Sequence, residues 1–77
     1  MTKLSAIEIL KKAYGEWNFN QESAEFKAAE NFEMNGNILT YTVNADSVIG
    51  YTVEVDTETG NKRTCGNGEG CFWTDWN

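Results

Sequence analysis

An Asn-Gly dipeptide at residues 35 and 36, set between two runs of alternating apolar side chains, constrains this chain more than any other feature. A two-residue hairpin turn needs left-handed backbone, which Asn and Gly adopt at the least cost. Before it, Ala24, Phe26, Ala28, Phe32 and Met34 share one parity, with Glu25, Lys27 and Glu33 on the other. After it, Leu39, Tyr41 and Val43 alternate with Thr40 and Thr42. With Asn35 and Gly36 as the turn residues, Met34 faces Asn37, Phe32 faces Leu39, Glu30 faces Tyr41 and Ala28 faces Val43. Both apolar sets then lie on one face, which a one-residue slip would destroy. A second helix over residues 22–30 competes, because Glu, Ala and Lys are good helix formers. The hairpin signal favours a strand over residues 24–34.

Tyr51, Val53 and Val55 form the next alternating run. Placing Tyr41 opposite Val53 leaves Asn44 to Gly50 as the connection, with Gly50 available as a bulge. A turn at Glu58, Thr59 and Gly60 leads into a last short strand over residues 61–65. Ahead of the strands, Ser5-Ala6-Ile7-Glu8 has capping-box spacing, and Leu4 with Ile9 has the spacing of a hydrophobic staple. Ala6, Ile9, Leu10, Ala13 and Trp17 follow as one helical stripe, and Gly15 is the expected stop. The expectation is a single α+β domain over residues 1–77: one N-terminal helix packed on a three- to four-stranded antiparallel meander, with a C-terminal tail stapled by a disulfide.

The chain is 77 residues long, so its core is thin and any staple matters. Six Lys plus Arg against twelve Asp plus Glu give a net charge of -6, which argues against a nucleic-acid partner. With no His, triads that use an imidazole base and imidazole zinc sites are excluded. No run is apolar enough to span a membrane, and residues 1–15 lack the uninterrupted apolar core of a signal peptide.

Little in the remaining motifs points to catalysis, a cofactor or a metal. Gly66, Gly68 and Gly70 lack the following helix and the Lys of a phosphate loop. Asp56 to Gly60 superficially resembles a calcium loop, but it has neither Gly at the sixth position nor Glu at the twelfth. Glu54 and Asp56 share the polar face of a strand, so they read as solvated rather than as an acid/base pair.

Residues 64–77 are the most unusual stretch. Cys65 and Cys71 enclose five residues, three of them Gly, and a bridge across so flexible a loop is geometrically easy. A bridged pair implies a secreted or periplasmic setting, and free thiols a cytoplasmic one. Phe72, Trp73 and Trp76, with Glu69 in the loop, are the candidate binding residues, because Trp is enriched where proteins dock. Their competing role is to close the core. In an extended tail Trp73 and Asp75 share one parity and Phe72, Thr74 and Trp76 the other, so both Trp residues cannot point inward.

The run Tyr51-Thr-Val-Glu-Val-Asp-Thr-Glu-Thr-Gly-Asn-Lys-Arg63 resembles the closing segment of PepSY domains, in which a strand and an Asp precede Thr-Gly and another strand. Ser5-Ala-Ile-Glu-Ile-Leu-Lys-Lys-Ala13 is similar to that family's first helix, so the resemblance spans about residues 4–64. It implies an extracytoplasmic binding or inhibitory module, some relatives being associated with protease propeptides, and it transfers no catalytic residue. The Cys65 to Cys71 loop and the Trp tail lie outside the family pattern.

The function expected from the residues is a small, non-enzymatic binding or inhibitory module acting through protein contact. Alternatives are a cytosolic acidic inhibitor of the kind phages encode, a pilin-like headpiece, and the precursor of a peptide modified at its Cys-, Gly- and Trp-rich end.

Overall fold

A computed structural model of the protein describes residues 1–66 and 72–77. Helix α1 (Lys3–Tyr14) is followed by a single helical turn, α2 (Ala24–Lys27). Four strands come next: β1 (Ala29–Asn35), β2 (Ile38–Val43), β3 (Tyr51–Asp56) and β4 (Lys62–Gly66). They form one antiparallel sheet in the order β1-β2-β3-β4, the meander expected from the sequence.

Helix α1 starts one turn earlier than the capping box implies. Thr2 is the N-cap, its hydroxyl accepting from the Ser5 N–H at 3.1 Å, which satisfies one of the first-turn donors. Leu4 is consequently 76% exposed and is no staple. The stripe holds at Ala6 and Leu10, both fully buried, with Ile9 packed beside them. Gly15 ends the helix at φ 94°, so Trp17 lies beyond it and is 94% exposed rather than part of the stripe.

Residues 24–34 divide between the two competing readings. Ser23 caps α2 by accepting from the Phe26 N–H at 3.1 Å, and the strand begins only at Ala29. A local cap thus takes the first part of the run before strand pairing can. The turn residues are Gly36 and Asn37, with Asn35 paired to Ile38 and Met34 to Leu39. Gly36 has φ 60° and Asn37 keeps an ordinary φ, the pattern of a turn that needs glycine only at its first central position.

The register at the turn is therefore two residues from the expected one, a shift that by itself changes no side chain's face. An irregularity between Glu30 and Glu33, with Asn31 at φ 59°, then brings Ala29 opposite Val43 in place of Ala28. The β2–β3 pairing is as expected, Tyr41 opposite Val53, with residues 44–50 as the connection.

The inner face of the sheet carries Leu39, Tyr41, Val43, Val53 and Val55, which form one cluster with Ala6, Leu10, Phe26 and Ala29. The Leu, Val and Phe side chains among them each contribute on the order of 1.5–3 kcal/mol when removed from water. Paired residues share a face, so Glu33, Thr40, Glu54 and Arg63 form a row across all four strands on the opposite, outer face.

Candidate functional site

The tail pairs along the free edge of β4. Thr74 N–H donates to the Thr64 carbonyl at 2.9 Å, while Asn77 and Lys62 exchange backbone bonds at 2.9 and 3.1 Å. From Thr74 to Asn77 is three residues, but from Thr64 to Lys62 is two, so the tail carries one extra residue opposite Arg63. That extra residue cancels the alternation on which the expected opposition of Trp73 and Trp76 rests. Both rings lie over the same guanidinium, each with its centre 4.6 Å from Arg63 Cζ.

Arg63 is also paired across the outer face to β3. Its Nε donates to Glu54 Oε1 at 2.7 Å, and a second nitrogen lies 2.7 Å from the same oxygen. The carboxylate orients the guanidinium edge-on, which leaves both of its flat faces free for aromatic rings. Trp73 and Trp76 each remain 40% exposed and Phe72 is 85% exposed, so none of the three closes the core. Trp73 and Trp76 make an aromatic shelf at the β4 side of the outer face, the face that also carries the carboxylates of Glu30, Glu33, Glu54 and Asp56.

Cys65 is 2% exposed, and it too is on the outer face, opposite Thr52 and apart from the inner cluster. The pairing of Thr74 with Thr64 sets Trp73 alongside it in register. Glu69, Cys71 and the proposed Cys65 to Cys71 bridge lie outside the described residues.

Two features of this surface escape a reading of the sequence. Glu54, read there as part of a solvated face, is the partner of the chain's one Arg. Arg63 itself had a usable signal, since its parity on the last strand puts it on the same face as Glu54. What parity could not show was the extra tail residue.

A second concentration of chemistry lies on the inner face, where α1 gives way to the segment before α2. Phe19 meets Phe26 edge-on at 4.9 Å between ring centres, and Phe26 meets Tyr41 in the same manner at 6.0 Å. Asn18 Nδ2 donates to the Tyr14 carbonyl at 3.0 Å, tying the segment to the end of α1. Tyr51 donates its hydroxyl to Glu25 Oε2 at 2.6 Å. Burial first, then that hydrogen bond and the carboxylate's charge, push the Tyr51 hydroxyl up to about 12. Burial, reinforced by Glu25, raises Tyr14 as well, and raises Tyr41 further still.

Compared with known proteins, the chain matches no family model, no curated protein and no solved structure.

Proposed function

We propose that this chain is a non-enzymatic binding module that docks a protein partner on the outer face of its sheet. The observation that carries the reading is the half-exposed pair Trp73 and Trp76, held over Arg63 by the tail's pairing with β4. Aromatic side chains whose orientation is set before binding lose little entropy on contact, which is why they dominate interface energetics. Four outward carboxylates on the strands against one paired guanidinium, and a net charge of -6, favour a partner with a basic rim.

The proposal includes a Cys65 to Cys71 bridge that anchors the tail, and with it a secreted or periplasmic setting. It also takes with it the resemblance to PepSY domains, which implies an inhibitory role outside the cytoplasm.

The test is crosslinking in native extract with the wild-type chain and with a Trp73→Ala/Trp76→Ala variant, followed by purification of the partner that only the wild type captures. Reconstituted binding is expected to weaken by about thirtyfold or more in the variant, the scale of a hot-spot loss. Equal affinity of the two proteins for every captured partner overturns the reading, provided circular dichroism shows the variant folded.

A further inference from the structure

We infer that the inner-face cleft between the end of α1, α2 and β2 is a binding site for an ammonium group carried on an aliphatic stem. The cleft has a volume of about 340 Å³ and is lined by Tyr14, Phe19, Phe26 and Tyr41, with Glu25 and Asn18 also on its wall. Ligand sites run from roughly 300 to 1,000 Å³, so this one suits a single side chain or a small amine. It shares no aromatic residue with the tail shelf, and it stands whether or not that surface docks a protein.

Three observations select a cation over a neutral or anionic guest. The aromatic rings present the electron-rich surfaces that attract ammonium groups. Lys3 already places its Nζ 5.1 Å from the centre of the Phe26 ring, from outside the cleft, while donating to the Lys27 carbonyl at 3.3 Å, so one ring of the cluster already accepts an ammonium within the chain itself. Glu25 supplies the counter-charge, its carboxylate held by the Tyr51 hydroxyl at 2.6 Å. The reach of that charge into the cleft is visible in the raised hydroxyls of Tyr14 and Tyr41, for both of which Glu25 is a cause after burial. Lys62, the one cation on the cleft wall among the described residues, stands on the inner face opposite Val55 and is exposed, so a guest ammonium must seat at the Glu25 end.

An aliphatic stem fits the remainder of the site. Phe26 and Tyr41 are buried members of the core cluster and form an apolar wall, while Asn18 and Asn20 offer polar groups at the mouth. An amine would lay its methylenes along the wall and keep its charged end toward Glu25, as long cationic side chains do on any apolar surface.

The experiment is an NMR titration of the intact chain with n-butylammonium, with 1-butanol as its neutral counterpart and with Nα-acetyl-lysine methylamide. The expected result is saturable shifts of the Tyr14, Phe19, Phe26 and Tyr41 ring resonances with n-butylammonium, and a response to 1-butanol at least about tenfold weaker. Glu25→Gln, at an exposed position that leaves the core untouched, is expected to weaken the amine by about tenfold. Tighter binding of the lysine derivative identifies a protein side chain as the guest, and tighter binding of n-butylammonium a free amine. Equal responses to amine and alcohol, an unaltered affinity in Glu25→Gln, or shifts confined to the Trp residues overturn the inference.

Discussion

The guanidinium of Arg63 lies 4.6 Å from the centre of the Trp73 ring while the same group is bonded edge-on to Glu54 at 2.7 Å. One side chain of β4 therefore joins the tail to the sheet and is held in place by β3. Replacing Arg63 by Leu removes both stacking contacts and leaves a half-buried carboxylate without its partner. The expected loss is about 2–3 kcal/mol, from stacking worth about 0.5–1 kcal/mol per ring and a partly shielded ion pair. Arg63→Lys keeps the charge but not the flat faces, so it is expected to recover less than half. Urea unfolding followed by Trp emission measures both, and a native-like emission maximum in Arg63→Leu would show that the tail is held by other means.

Gly36 and Gly60, both left-handed and both in turns between strands, differ in what surrounds them. A Cβ on Gly36, at φ 60°, meets nothing within 4 Å, whereas one on Gly60, at φ 78°, meets the Ala13 carbonyl oxygen at 3.0 Å. Gly36→Ala is expected to cost about 1 kcal/mol of backbone strain alone, and Gly60→Ala about 2–3 kcal/mol because the turn must also retreat from α1. Chemical denaturation ranks them, and the reverse order counts against the contact between the β3–β4 turn and the helix.

Helix α1 offers a comparison among its cap, an exposed first-turn position and a buried one further along. Thr2→Ala is expected to cost about 1 kcal/mol as a lost cap, and Leu4→Ala to stay within about 0.5 kcal/mol because the side chain is in water. Leu10→Ala, at a fully buried position, is expected to cost about 3–5 kcal/mol, enough to unfold much of a domain this small. Thermal melts of the three variants check the ranking.

Alkaline pH tests the Tyr51–Glu25 pair. The folded chain holds the Tyr51 hydroxyl at about 12 against an ordinary 10.0, so folding favours the neutral phenol. The associated stability is complete below about pH 10 and is lost as pH rises toward 12, with Tyr14 and Tyr41 shifting in the same direction. Glu25→Gln is expected to bring the Tyr51 titration part of the way down, since burial, the largest cause, is unchanged. Phenolate absorbance against pH follows the titration, and coincident curves for the two proteins would deny the carboxylate any part in it.

Alternation at Leu39, Tyr41, Val43, Val53 and Val55 determined the inner face of the sheet from sequence alone, because the two-residue period of a strand leaves no other face for five apolar side chains. The same logic determined the Tyr41 to Val53 register and the connection over residues 44–50. Gly15 determined the end of α1, since its left-handed backbone is closed to most residues. Whether residues 24–28 coil or extend was not decided there. Ser23 and the Glu and Ala that follow suit a helical turn as well as the alternation suits a strand, and the balance went to the turn that buries Phe26 against Phe19 and Tyr41. The tail was decided by tertiary structure alone. Its parity separates Trp73 from Trp76, and only pairing with β4 inserts the extra residue that brings both rings to Arg63. The cleft likewise joins Tyr14, Phe19, Glu25 and Tyr41 from four separate stretches of chain, a proximity that local spacing does not encode and that long-range packing creates.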